Sequence, residues 1–147
     1  LNHRLERDFG WIIKQMRDEC GLSQKELATE KSLKDTAWRL ISVYVRSLGA
    51  KGDLNQCYTC LKWFDWKNQM DCGHYIHDRL DYELNNLKPQ CKRCNHYLRG
   101  NLGVYGERLI SEIGPEAVKE MRLYSFKKGN NYTRTELNEI ILKYKNL

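Results

Sequence analysis

The sequence predicts an α+β fold, mostly helical, in which helices flank a small zinc-centred core of short strands. Three observations carry that expectation. Four of the six cysteines form two C-x-x-C pairs, Cys57-Tyr58-Thr59-Cys60 and Cys91-Lys92-Arg93-Cys94, separated by 30 residues. Apolar residues recur at helical spacing towards both ends of the chain, whereas the period shortens to two just after the first pair. A length of 147 residues with 41% apolar content suits one domain with a moderate core.

Taken in order, HRLERDFGWIIKQMRDE (3–19) places Leu5, Phe9, Ile12, Ile13 and Met16 on one helical face that ends near Gly21. Ser23-x-x-Glu26 reads as a capping box for a short helix. From about Ser32 to Leu48 a stronger helix carries Ala37, Leu40, Ile41, Tyr44, Val45 and Leu48 on one stripe, with Gly49 as its stop. AKGD (50–53) marks a boundary. LKWFDW (61–66) and QMDCGHYI (69–76) then read as two strands of an antiparallel hairpin turning near Lys67-Asn68. HDRLDYELNNLKP (77–89) reads as a polar loop, and the second knuckle opens a helix at about Asn95. GVYGERLISEI is a helix stopped by Gly114-Pro115, EAVKEMRLYS is another, and KKGNN (127–131) is a linker. Thr133-x-x-Glu136 is a capping box for a last helix through about Lys145. The expected organisation is a helical segment 1–50, a four-cysteine core 53–106 and C-terminal helices 107–147.

Lys and Arg number 25 against 19 Asp and Glu, and the resulting +6 charge favours a polyanionic partner, most simply nucleic acid. No apolar run is long enough for a bilayer, so no membrane partner is expected. With no charged-then-apolar leader legible, Cys57, Cys60, Cys91 and Cys94 are expected to hold zinc rather than form two disulfides. Two intervening residues let both thiolates of a knuckle reach one tetrahedral ion, and four thiolates leave that ion no open position. The zinc is therefore structural, and any chemistry sits beside it. The scaffold offers His74 near the end of the second strand and Asn95 directly after the last zinc cysteine.

These residues resemble the HNH, or ββα-metal, nucleases, whose treble-clef core joins a strand-borne His to an Asn or His past a C-x-x-C. His74 stands for the first H, Asn86 for the middle N, and Asn95 for the last position, as in the endonuclease VII-like branch. A closer resemblance, from about Thr36 to the C-terminus, is to the NinG (Rap) recombination nucleases of lambdoid phages. It rests on Tyr44-x-Arg46, GHY (73–75), QCKRCN (90–95), GN (100–101), Tyr105, LISEIG (109–114) and YTRTELNEIILKY (132–144). The first 35 residues carry no such likeness.

The resemblance implies a metal-dependent endonuclease cutting branched DNA such as Holliday junctions and D-loops. It also implies a cytoplasmic setting in a bacterial host and a phage or prophage origin, and the two nicks of symmetric resolution suggest a homodimer. His74 suits the general base. A magnesium or manganese ion would balance charge at phosphorus, with Asn95 as an oxygen ligand. Gly73 departs from the pattern, because Asp or His normally precedes the catalytic His. Strand alternation puts Asp71 and His77 on that side, so Asp71 is expected as second ligand and His77 as the alternative. Asn86 suits a loop tether better than a ligand. Lys88, Lys92, Arg93 and Arg99 are the expected phosphate contacts. Cys72 is expected as a small buried side chain beside His74, and His96 as an exposed helix residue. Trp63, Phe64 and Trp66 suit either hairpin core or a DNA-stacking surface. Two rival readings are a non-catalytic zinc module that binds DNA or protein, and a sequence-reading HNH nicking or homing endonuclease.

Overall fold

A computed structural model describes residues 30–77, 80–126 and 132–145. The helical expectations for 3–19 and for the segment after Ser23 lie outside the described residues. The elements are α1 (Glu30–Ser47), β1 (Leu54–Gln56), β2 (Trp63–Asp65), β3 (Met70–His74), β4 (Leu87–Cys91), α2 (Leu102–Ile113), α3 (Pro115–Ser125) and α4 (Arg134–Lys145). The chain is thus α+β with helix predominant, and its four strands form two separate antiparallel pairs.

Helix α1 buries Leu33, Ala37, Ile41 and Val45, a run at i, i+4, i+8 and i+12 that keeps one face inward. Its first half packs on Leu137 and Ile141 of α4, and its second half covers Cys72 of β3 and Leu87 of β4. Leu48 falls past the helix end and is 55% exposed, so the inward stripe stops at Val45. Gly49 follows in the left-handed region at φ 80°, where a helix stop is expected. Asn55 secures that end, since its Nδ2 donates to the carbonyls of Arg46 (2.7 Å) and Leu48 (3.0 Å). At the other end of the chain Thr133 and Glu136 form the reciprocal capping box that opens α4: Thr133 N donates to Glu136 Oε2 at 2.7 Å, and Glu136 N to Thr133 Oγ1 at 3.3 Å.

The hairpin expected between 61–66 and 69–76 does not form. Instead β2 pairs with β1 across the first knuckle, in the register Asn55↔Phe64, and β3 pairs with β4, from Met70↔Cys91 to His74↔Leu87. The cause is local. Asp65 Oδ1 accepts from the backbone of Lys67 and Asn68 while Gln69 Oε1 accepts from Asp65 N, which closes a tight turn and ends β2. Beyond that turn β3 takes β4, not β2, as its partner. Residues 87–89, read as loop, are the first part of that partner strand.

The helix expected from Asn95 is also interrupted. Arg93–Tyr97 is a single π-helical turn, and Arg99, Gly100 and Asn101 all take positive φ (49°, 82° and 48°) before α2 begins at Leu102. Tyr105, fully buried on α2, ties that helix to the strand pair. Its hydroxyl shares one proton between the carbonyls of Gly73 (3.2 Å) and Asn86 (2.9 Å).

Gly73 faces Gln90, which is fully buried and donates through Nε2 to Thr59 Oγ1 and the Gly100 carbonyl. A Cβ on Gly73 would press into Gln90 Oε1 and stand 2.8 Å from its Cδ. We expect Gly73→Ala to cost about 1–3 kcal/mol of stability, the usual range for overpacking. Urea unfolding checks this, and a midpoint equal to that of the unsubstituted protein would contradict the packing account.

Candidate functional site

The two knuckles bring their sulfurs together. Those of Cys57, Cys60, Cys91 and Cys94 lie within 4.8 Å of one another, and Cys60 Sγ to Cys91 Sγ is 3.9 Å. A zinc ion with Zn–S bonds of about 2.3 Å would set sulfurs roughly 3.8 Å apart, so the quartet fits such an ion and is far from disulfide geometry. The backbone around Cys57 favours its thiolate. Cys91 N donates to Cys57 Sγ at 3.3 Å. Burial pushes the Cys57 thiol up, but backbone N–H groups of Cys60, Cys91 and Thr59 outweigh it and hold the group at about 6. Burial raises Cys60, and it drives Cys91 up to about 12. Met70, Phe64 and Trp66 seal the cluster. Trp63 points the other way, 43% exposed with the Lys51 ammonium over its ring.

Beside the quartet stand Asp71, which follows the Met70 that packs on it, and Asn95, which follows Cys94. Asn95 Nδ2 lies 3.5 Å from Asp71 Oδ2, and His96 Nε2 lies 2.9 Å from the same oxygen. The three side chains share a groove of about 400 Å³ with Trp38, Arg46, Cys72 and Lys92. A half-turn of the Asn95 amide would face its oxygen towards the Asp71 carboxylate, giving a hard, oxygen-rich pair that suits a magnesium-type ion. His96 belongs to this site although its helical position suggested only exposure. What could have found it is adjacency to Asn95 on a turn fixed by Cys94.

His74 occupies a different surrounding. Its ring stacks on Trp38 at 4.6 Å and 16°, and lies 4.9 Å from the His77 ring. Nε2 is buried and has no hydrogen-bond partner among the described residues, with Asp81 Oδ1 at 3.5 Å. Burial first, then the neighbouring His77, lower its pKa to about 4, so the ring is neutral at pH 7 and keeps a free lone pair. Trp38 is the side chain common to both places, since it stacks on His74 and also lines the groove. His77 lies past the end of β3 beside His74 and Asp81, not beside Asn95. Asp81 was invisible to sequence reading because it joins the cluster from outside strand β3.

Asn86, fully buried, ties Ile76 to Leu80. Its Oδ1 accepts from Ile76 N at 2.8 Å, and its Nδ2 donates to the carbonyls of Ile76 and Leu80 at 2.6 and 2.9 Å. Arg46 links α1 to the loop after β2 through the carbonyls of Trp66 and Lys67, at 3.0 and 3.1 Å, while Tyr44 packs on Tyr144 of α4. Cys72 is buried under α1, and burial drives its thiol up to about 12. The expected phosphate contacts divide. Lys92 lines the groove, and Arg93 and Arg99 are exposed on the following turn. Lys88 instead pairs with Glu112 and lies over the Tyr58 ring.

Comparison with known proteins agrees over most of the chain. The family model described as Bacteriophage Lambda NinG protein matches residues 13–147, reaching further towards the N-terminus than the likeness legible from Thr36. Proteins named ninG are similar to the chain: that of Escherichia phage 933W is 36% identical over 80 residues, covering 52% of this chain and 39% of the relative. The phage lambda protein is 42% identical over 57 residues, or 36% of this chain and 28% of its own length. The Salmonella phage P22 protein is 35% identical over 80 residues, or 52% of this chain and 38% of its own length. The matched segments thus span less than half of each relative's length. No solved structure gives a significant match. Among the described residues no helix is long and apolar enough to cross a membrane.

Two outcomes are expected. A chelator, or Cys91→Ser, should remove zinc from the purified chain and abolish its cooperative thermal transition, because metal binding at such a site contributes folding free energy. Metal content read beside circular dichroism checks this. Because the folded pKa of His74 lies below the unfolded value of 6.5, the unfolded chain takes up this proton first. The contribution is therefore complete above about pH 6.5 and is lost as the pH falls towards 4, on the order of 3 kcal/mol in all. His74→Gln should flatten that part of the urea-midpoint profile, whereas parallel profiles would contradict the burial.

Proposed function

The chain belongs to the NinG family of lambdoid phage proteins, and from that premise we propose that it is a divalent-metal-dependent DNA endonuclease acting on branched recombination intermediates. The observation that carries the reading is the convergence of Asp71 from β3 with Asn95 and His96 from the turn after the last zinc cysteine. An antiparallel strand pair, a zinc-fixed turn and then a helix is also the order of the ββα-metal core that the sequence resembles.

In this reading Asp71 and Asn95 hold the catalytic ion, with His96 against the same carboxylate. A magnesium or manganese ion bound there would stabilise charge on the phosphorane and the leaving oxygen. His74 is the general base, accepting the proton of the attacking water as one P–O bond forms and another breaks. Its low pKa keeps it in the accepting form throughout the neutral range. Trp38 fixes its ring, and Asn86 ties Ile76 to Leu80. Lys92, Arg93 and Arg99 supply phosphate contacts without reading bases. Contacts of that kind read no bases, which suits a substrate chosen by its shape.

Incubation with a labelled four-way junction and a matched linear duplex, with and without magnesium, tests the reading. The unsubstituted protein should cut the junction preferentially, and only with the ion. His74→Ala and Asp71→Ala should each lose about 100-fold or more of the rate while keeping zinc and junction binding. Junction binding without cutting in magnesium or manganese, by the unsubstituted protein, would favour a zinc module that binds DNA. Cutting that depends on base sequence and ignores branching would favour the homing-type enzyme.

A further inference from the structure

We propose that His74, His77 and Asp81 form a further metal site, distinct from both the cysteine quartet and the Asp71–Asn95 groove, that takes a nitrogen-preferring transition ion such as Zn2+ or Co2+. The ligand atoms of the three side chains lie within 4.8 Å of one another. Two imidazoles and one carboxylate suit zinc, cobalt or nickel, whereas magnesium prefers oxygen ligands alone. The groove at Asp71 and Asn95 has the opposite character, so the two places select different ions.

The site is built rather than incidental. The face-to-face contact with Trp38 sets the direction of the His74 ring. Its buried Nε2 has no hydrogen-bond partner among the described residues, which is the condition an incoming ion would relieve. Asn86 bonds both Ile76 and Leu80, fixing the ends of the segment that presents His77 and leads to Asp81. His77 is exposed and gives the ion a path from solvent. An ion here takes the lone pair that His74 would need as a base. Such an ion therefore inhibits cutting, a consequence that rests on the function proposed above, whereas the binding itself does not.

The test begins with full-length chain carrying zinc at its cysteines, titrated with Co2+ and followed by calorimetry and visible absorption. We expect one further Co2+ per chain, its affinity falling by about 10-fold or more in His77→Ala and in Asp81→Asn. Asp71→Asn should bind the ion as the unsubstituted protein does. No uptake beyond the cysteine site, uptake unchanged in both variants, or uptake lost in Asp71→Asn would each overturn the site. Added Zn2+ should slow junction cutting by the unsubstituted protein and slow it less in His77→Ala. Equal inhibition of the two would remove the regulatory consequence. Absence of any cutting would count against the nuclease reading alone, because Co2+ uptake is read without DNA.

Discussion

The gathering of four sulfurs from two C-x-x-C knuckles is the constraint from which the geometry around the groove follows. Cys57 and Cys60 belong to the β1–β2 turn, Cys91 ends β4, and Cys94 sits on the π turn. Unneutralised thiolates this close repel, and burial without an ion pushes Cys60 and Cys91 towards the neutral thiol. A cation at the centre would reverse both effects. Met70, packed on that centre and paired with Cys91, fixes where β3 begins. Asp71 follows Met70 and Asn95 follows Cys94. Both groove residues are thus one peptide unit from the packed cysteine cluster, which sets their spacing.

Helix α1 supplies the second set of restraints, and it does so through polar as well as apolar groups. Its inward face fills the space between α4 and the β3–β4 pair. Trp38 projects from the same helix onto His74, and Arg46 reaches two carbonyls of the loop that joins the knuckle hairpin to β3. The Tyr44-x-Arg46 pattern gains a physical account from this placement. Tyr44 contacts Tyr144 of the last helix and Arg46 contacts the end of the knuckle hairpin at Trp66 and Lys67, so the pair bridges parts of the chain far apart in sequence.

Sequence reading succeeded where the signal is short in range. The cysteine spacing implied convergent sulfurs, the repeat of Ala37, Ile41 and Val45 implied the face of α1, and Thr133 with Glu136 implied the start of α4. It failed where the outcome depends on partners distant along the chain. Alternation in 61–66 and 69–76 indicated which side chains share a face, but it holds no information about which edge is free. The turn closed by Asp65 and Gln69 decided that. The membership of His96 and Asp81 in side-chain clusters was hidden for a related reason. Each approaches its neighbours from a segment anchored elsewhere, by Cys94 in one case and Asn86 in the other. Gly73 looked like a missing ligand, whereas the packing of Gln90 leaves no room there for any side chain.

The run of left-handed residues at Arg99, Gly100 and Asn101 separates the π turn from α2. Asn95 and His96 are therefore indexed to the zinc cluster and not to the axis of the helix that follows. Beyond the break α2 answers to a different anchor, because its buried Tyr105 reaches back to the carbonyls of Gly73 and Asn86. The joint thus lets two neighbouring stretches take their direction from separate supports, the turn from the cysteine quartet and the helix from the strand pair that carries His74.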